Sequence, residues 1–131
     1  MIAAPPPSGP TTIVSHVSVP VHGKITGTFT ATGAIADDGT LVDTFKVLGH
    51  EGGATKTRVQ RWLYGRKGTI HFEFVLLLRG ERATGTWRVV SGAQAYAKLA
   101  GHGSYAGLVR ALPHGAERIR DTMRGTVGPA P

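Results

Sequence analysis

The sequence predicts an all-β chain, an eight-stranded antiparallel closed β-barrel, and three observations carry that expectation. Val, Ile, Thr and aromatic residues recur in eight short runs set apart by Gly, Asp and Pro, which is the signature of strands joined by turns. Nineteen of the 131 residues are Gly, about twice the usual ~7%, and they fall singly among β-branched residues, as bulges and tight bends require. No stretch sustains a helical period; only residues 91–100, with Ala93, Ala95, Ala97 and Leu99, predict one short helical turn near 93–98.

The chain opens with Pro5, Pro6 and Pro7 and has neither a basic n-region nor a long apolar h-region. Residues 1–11 are therefore expected to be a disordered Pro-rich tail, and 12–128 a single barrel domain. The eight runs are 13–21, 24–36, 40–48, 57–64, 69–79, 82–90, 101–110 and 117–127. In the second, Thr26, Thr28, Thr30 and Thr32 alternate with Ile25, Gly27, Phe29, Ala31, Gly33 and Ile35, so the threonines face water and the others the interior.

The turns then set registers. Ala36-Asp37-Asp38-Gly39-Thr40 suits a three-residue loop with Gly39 left-handed in a bulge, placing Ile35 opposite Leu41 and Gly33 opposite Asp43. Residues 49–53 read as a linker, and His50 to Thr55 as a loop able to serve as a lid over the barrel mouth. Gly65-Arg66-Lys67-Gly68-Thr69 repeats the three-residue pattern, placing Tyr64 opposite Ile70 and Trp62 opposite Phe72. Asp43, Arg58, Gln60, Trp62 and Tyr64 then point inward, while Val59, Leu63, Val75 and Leu77 point outward as a subunit interface. A slip of one residue would reverse each of these orientations.

Arg79-Gly80-Glu81-Arg82 suits a two-residue type II′ hairpin. It pairs Leu78 with Ala83, Phe74 with Trp87 and Glu73 with Arg88, and turns Phe72, Phe74, Leu76, Trp87 and Val89 inward. In the last run the arginines at 118, 120 and 124 need water, so Asp121 turns inward. Tyr105, flanked by glycines, joins it. Closure of eight strands removes exposed edges, with a two-sheet sandwich as the rival architecture.

Composition removes several classes of function. With no Cys there is no disulfide, thiolate nucleophile or Cys-bound metal. The six histidines are dispersed and form no metal-binding spacing, so no metal or organic cofactor is expected. The longest apolar run, 72–78, is broken by Glu73 and too short to span a bilayer. A cytoplasmic location is the default expectation. The net charge of +7 comes from scattered basic residues without a nucleic-acid motif. Neither a specific nucleic acid nor a membrane is expected as partner, only nonspecific attraction to polyanions at low salt.

Residues 28–35, 62–69 and especially 85–105 resemble the bacterial branch of the allene oxide cyclase barrel-like superfamily, which includes the dirigent proteins. The clearest element is the Trp87 strand followed by Ser91-Gly92, Tyr96, Leu99, Gly101 and Gly103. The resemblance implies an eight-stranded barrel, often a homo-oligomer, here a dimer or trimer. It also implies an apolar cavity that steers cyclisation without a cofactor.

The expected interior offers Asp43 and Asp121 as acid or base, and Arg58 and Tyr64 to steady a developing oxyanion. Phe29, Phe45, Gln60, Trp62, Phe72, Phe74, Trp87 and Tyr105 are expected to bind substrate. Three readings follow. The first is a cofactor-independent cyclase or isomerase acting on a hydrophobic natural product or oxidised lipid. The second is a non-catalytic binding barrel, and the third a solid structural barrel. A cavity of about 300 Å3 or more favours the first two.

Overall fold

The computed structural model describes residues 4–131; the first three residues of the expected tail lie outside them. Eight strands follow one another around a closed barrel: β1 Gly9–Val19, β2 Ile25–Gly33, β3 Asp37–Glu51, β4 Ala54–Gly65, β5 Gly68–Arg79, β6 Arg82–Gln94, β7 Leu99–Ala111 and β8 Glu117–Pro129. Each pairs antiparallel with its sequence neighbours, and β8 closes onto β1. The first strand begins at Gly9, inside the segment expected to be tail, because Gly9, Pro10 and Thr11 lie opposite Val127, Thr126 and Gly125.

The β5–β6 hairpin matches its expectation: Leu78 faces Ala83, Phe74 faces Trp87 and Glu73 faces Arg88. Gly80 supplies the positive φ of +58° that the type II′ turn requires. The β3–β4 connection differs from the expected linker or lid. Both strands continue to Glu51 and Ala54 and meet across Gly52-Gly53, whose φ values of +51° and +82° make a type I′ turn. A bulge between Val47 and Gly49 absorbs Leu48.

The β2–β3 turn corrects a register without changing any face. The chain bends at Gly33, with φ of +90°, and Ala34 N donates to Pro10 O. Asp43 therefore lies opposite Ile25, not Gly33. The displacement of eight residues is even, so Asp43 and Leu41 still face inward. Gly39 sits mid-strand, where a Cβ would run into the carbonyl of Tyr64.

The β4–β5 turn corrects a register by one residue, and that changes the faces. Leu63 pairs with Ile70 and Arg61 with Phe72. The loop holds two residues, Arg66 and Lys67, and needs no left-handed Gly because the Asp37 carboxylate accepts both of their amides at 2.9 and 3.2 Å. Consequently Arg58, Gln60, Trp62 and Tyr64 lie on the outer surface, while Val59 and Leu63 turn inward and leave the proposed interface face to Val75 and Leu77.

The short turn after β6 also differs in kind. Bonds from Tyr96 N to Ala93 O, Ala97 N to Gln94 O and Leu99 N to Tyr96 O make successive tight turns, bounded by left-handed Gln94 and Lys98, and no helix forms there. A 3-10 turn occurs instead at Pro113–Gly115, between β7 and β8.

The interior has two halves. At the end carrying the β2–β3, β4–β5 and β6–β7 turns it is solid: Ile35, Leu63, Ile70, Tyr96 and Leu99 plug the end beneath Phe72 and Trp87. Trp87 packs edge-on against Phe72 at 5.5 Å and lies over Gly103 and Gly125, where any side chain would strike its indole. Toward the other end the packing stops at one polar layer and a cavity opens.

Candidate functional site

The polar layer is built around Arg61, which is 1% exposed. Its Nε and Nη2 donate to the two Asp43 carboxylate oxygens at 2.8 and 2.9 Å. Nη1 and Nη2 donate to Asp121 at 3.0 and 2.8 Å, and Nη1 also reaches Ser15 Oγ at 3.4 Å. All five N–H donors of the guanidinium are thereby used. The guanidinium carbon stands 4.9 Å from the centre of the Phe74 ring, a cation–π contact. Tyr105 Oη donates to Asp121 Oδ2 at 2.8 Å.

Six strands bring these groups together: Ser15 from β1, Asp43 from β3, Arg61 from β4, Phe74 from β5, Tyr105 from β7 and Asp121 from β8. The fully ionised triad would carry one positive and two negative charges in a water-poor layer. Burial pushes the Asp43 carboxyl above its usual range, Arg61 opposes the shift, and the neighbouring Asp121 charge adds to it. The Arg61 guanidinium loses by desolvation but gains more from its two carboxylates, so it stays protonated. Burial, together with the Asp121 charge, pushes the Tyr105 phenol well up, so it remains a hydrogen-bond donor.

Above this layer lies a cavity of about 220 Å3, open at the barrel end that carries the β1–β2, β3–β4, β5–β6 and β7–β8 connections. Asp43, Arg61, Phe74 and Tyr105 form its floor, aliphatic residues such as Ile25, Val59, Leu76 and Ile119 its wall, and Phe45 and Val47 part of its rim. Asp121 lies behind the floor, so Asp43 is the carboxylate of this layer that meets the cavity, and Glu117 is a second acidic residue of the lining. The volume falls below the ~300–1,000 Å3 usual for ligand pockets. A fully enclosed guest is therefore small, and a longer one must extend past the rim.

Of the residues expected to form the site, Asp43, Asp121, Phe74 and Tyr105 are brought together, with Phe45 at the mouth. Phe29, Phe72 and Trp87 are buried in the core away from the cavity. Arg58, Tyr64, Gln60 and Trp62 lie outside the barrel, for the reason of register given above. Gln60 donates to Glu73 at 2.8 Å and shares a 2.6 Å contact with His71, whose ring stacks on Trp62 at 4.5 Å. Arg61, the centre of the site, was missed. Its signal lay in the alternation of Val59, Arg61 and Leu63, which becomes decisive once 65–68 is taken as a two-residue turn.

No family model, curated protein or solved structure matches the chain, so the superfamily resemblance rests on the residues that carry it. Among the described residues no helix is long and apolar enough to cross a membrane.

Proposed function

We propose that the barrel admits an apolar small molecule through its open end and that Asp43 exchanges a proton with it, in a cofactor-independent isomerisation or cyclisation. The observation that carries this reading is the cavity-facing Asp43 carboxylate, buried and raised in pKa, on the floor of a chamber whose walls are mostly apolar. Arg61 spends four donors on the two aspartates and the fifth on Ser15, so it holds Asp43 in place and has no free N–H to offer the guest. Asp43 donates its proton to an oxygen or carbon of the guest and recovers one from another position of the same molecule. No electron or co-reactant is then required. The aliphatic walls favour compact conformers of a flexible chain, lowering the entropic part of the barrier.

A second reading, a carrier, is favoured by one observation: Tyr105 Oη is already committed to Asp121, leaving few free polar groups to act on a guest. A thermal-shift screen of oxidised fatty acids and polyketide-like compounds, followed by product analysis of every stabilising compound, separates the two. Saturation at a hundred times Kd is expected to stabilise the fold by about 2.7 kcal/mol. Under the catalytic reading, Asp43→Asn keeps binding and loses turnover. Binding without turnover in the native protein supports the carrier. Stabilisation that persists in Val109→Phe, which fills the chamber, places the guest elsewhere and refutes both.

A further inference from the structure

Strand pairing gathers arginines that are dispersed in the sequence. On the outer wall, Arg82 lies opposite Leu108, Leu108 opposite Arg120, and Arg120 opposite His16, a single row across β6, β7, β8 and β1. The next row toward the cavity mouth sets Arg110 directly opposite Arg118, and Arg118 opposite Ser18. Neither row contains a carboxylate, and none of these four arginines forms an ion pair among the described residues. Like charges placed directly opposite each other on a sheet destabilise it, and an anionic partner reverses that effect.

The basic rows surround exposed apolar side chains at the end where the cavity opens. Leu108, in the middle of the arginines, is 53% exposed. Val21, in the β1–β2 connection, is 54% exposed. His22 and Lys24 share its loop. Phe45 and Val47 stand exposed across the mouth.

We propose that this end of the barrel docks on an anionic phospholipid surface, with the arginines at the headgroup phosphates and Val21 and Leu108 in the interfacial layer. The surface supplies both chemistries that the patch presents: negative charge for Arg82, Arg110, Arg118 and Arg120, and an apolar layer for the side chains between them. A nucleic acid matches the first only, since no aromatic side chain stands among the arginines to stack on a base. This replaces the expectation of no membrane partner, because that expectation came from an apolar run too short to span a bilayer, which does not bear on docking at its surface. It goes beyond the cavity reading and stands whether or not Asp43 is catalytic, although docking in this orientation brings the mouth close to a source of apolar molecules.

The test is co-sedimentation of the full chain with phosphatidylcholine vesicles, with and without phosphatidylserine. Binding is expected only with phosphatidylserine and is expected to fall as salt rises. At about fivefold per charge removed, Arg118→Gln/Arg120→Gln lowers affinity about 25-fold, and Leu108→Ser lowers it at unchanged charge. Lys67→Gln/Lys98→Gln removes the same charge at the plugged end and leaves binding intact. Equal losses in the two double variants, absence of binding, or displacement of the vesicles by a mixed-sequence oligonucleotide at the same salt each overturns the proposal. Guest binding in the cavity is measured separately by thermal shift without vesicles, so the two readings can fail independently.

Discussion

Replacing Arg61 with Met leaves two carboxyls in a buried layer with no positive charge, and the size of the effect follows from proton linkage. A carboxyl that must stay neutral in the fold near pH 7, while ionising near 3.9 in the unfolded chain, costs about three pH units at about 1.4 kcal/mol each, or ~4 kcal/mol. Near pH 5 the same proton costs only ~1.5 kcal/mol. Truncated buried ion pairs cost a similar ~3–5 kcal/mol. Asp43 is the group concerned first, since burial already raises it and Arg61 is what opposes the rise. A carboxyl whose folded pKa is raised contributes stability that is present below its unfolded pKa and lost as pH rises through its folded one. The variant's deficit must therefore grow with pH, by about 1.4 kcal/mol per unit for each proton held. Urea unfolding of both proteins, begun near pH 5 where the variant keeps more of its stability, gives the two curves. A loss below ~1 kcal/mol near pH 7, or an equal loss near pH 5 and pH 7, would refute the buried triad.

Two further outcomes concern the plugged end and the outer wall. Desolvation acts to raise the Asp37 carboxyl, but bonds from Tyr96 Oη and the amides of Arg66, Lys67 and Asp38 outweigh it and hold its pKa below the usual value. That contribution is present above the unfolded pKa and lost as pH falls through the folded one, so Tyr96→Phe is expected to lower Tm near pH 7 and to lose less near pH 3. On the wall, desolvation lowers the His71 pKa, with Arg88 adding to the shift and Glu73 opposing it. Because protonated imidazole quenches a stacked indole, Trp62 emission is expected to fall on acidification with a midpoint below 6.5 and to lose this step in His71→Ala.

The strands were legible because alternation survives ignorance of the turns. The Thr26–Thr32 series and the Arg118–Arg124 series each declare one wet face, and the even displacement of the β2–β3 register left every inward residue inward. The site was legible only in part because β4 declares no face: Arg58, Gln60, Trp62 and Tyr64 make as plausible an interior as Val59, Arg61 and Leu63. What decides between them is the length of the 65–68 loop, and that depends on Asp37, about thirty residues away in sequence, capping two amides. A contact of that kind has no local signature. Arg61 was hidden by the general rule that arginines seek water, which two carboxylates from β3 and β8 override.

The division of the barrel into a plugged half and a hollow half separates two kinds of position in the chain. The half that holds Trp87, Phe72 and Tyr96 is packed solid, and a Cβ added there at Gly92 or Gly103 would strike backbone. The rim and wall around Val47, Thr57, Leu78 and Val109 belong to the other half. Changes there alter the shape of the chamber without touching the plug, so the cavity can be reshaped while the packing that closes the other end is kept. The Asp43–Arg61–Asp121 layer is the seam between these regimes, and a substitution at the seam is answerable to both.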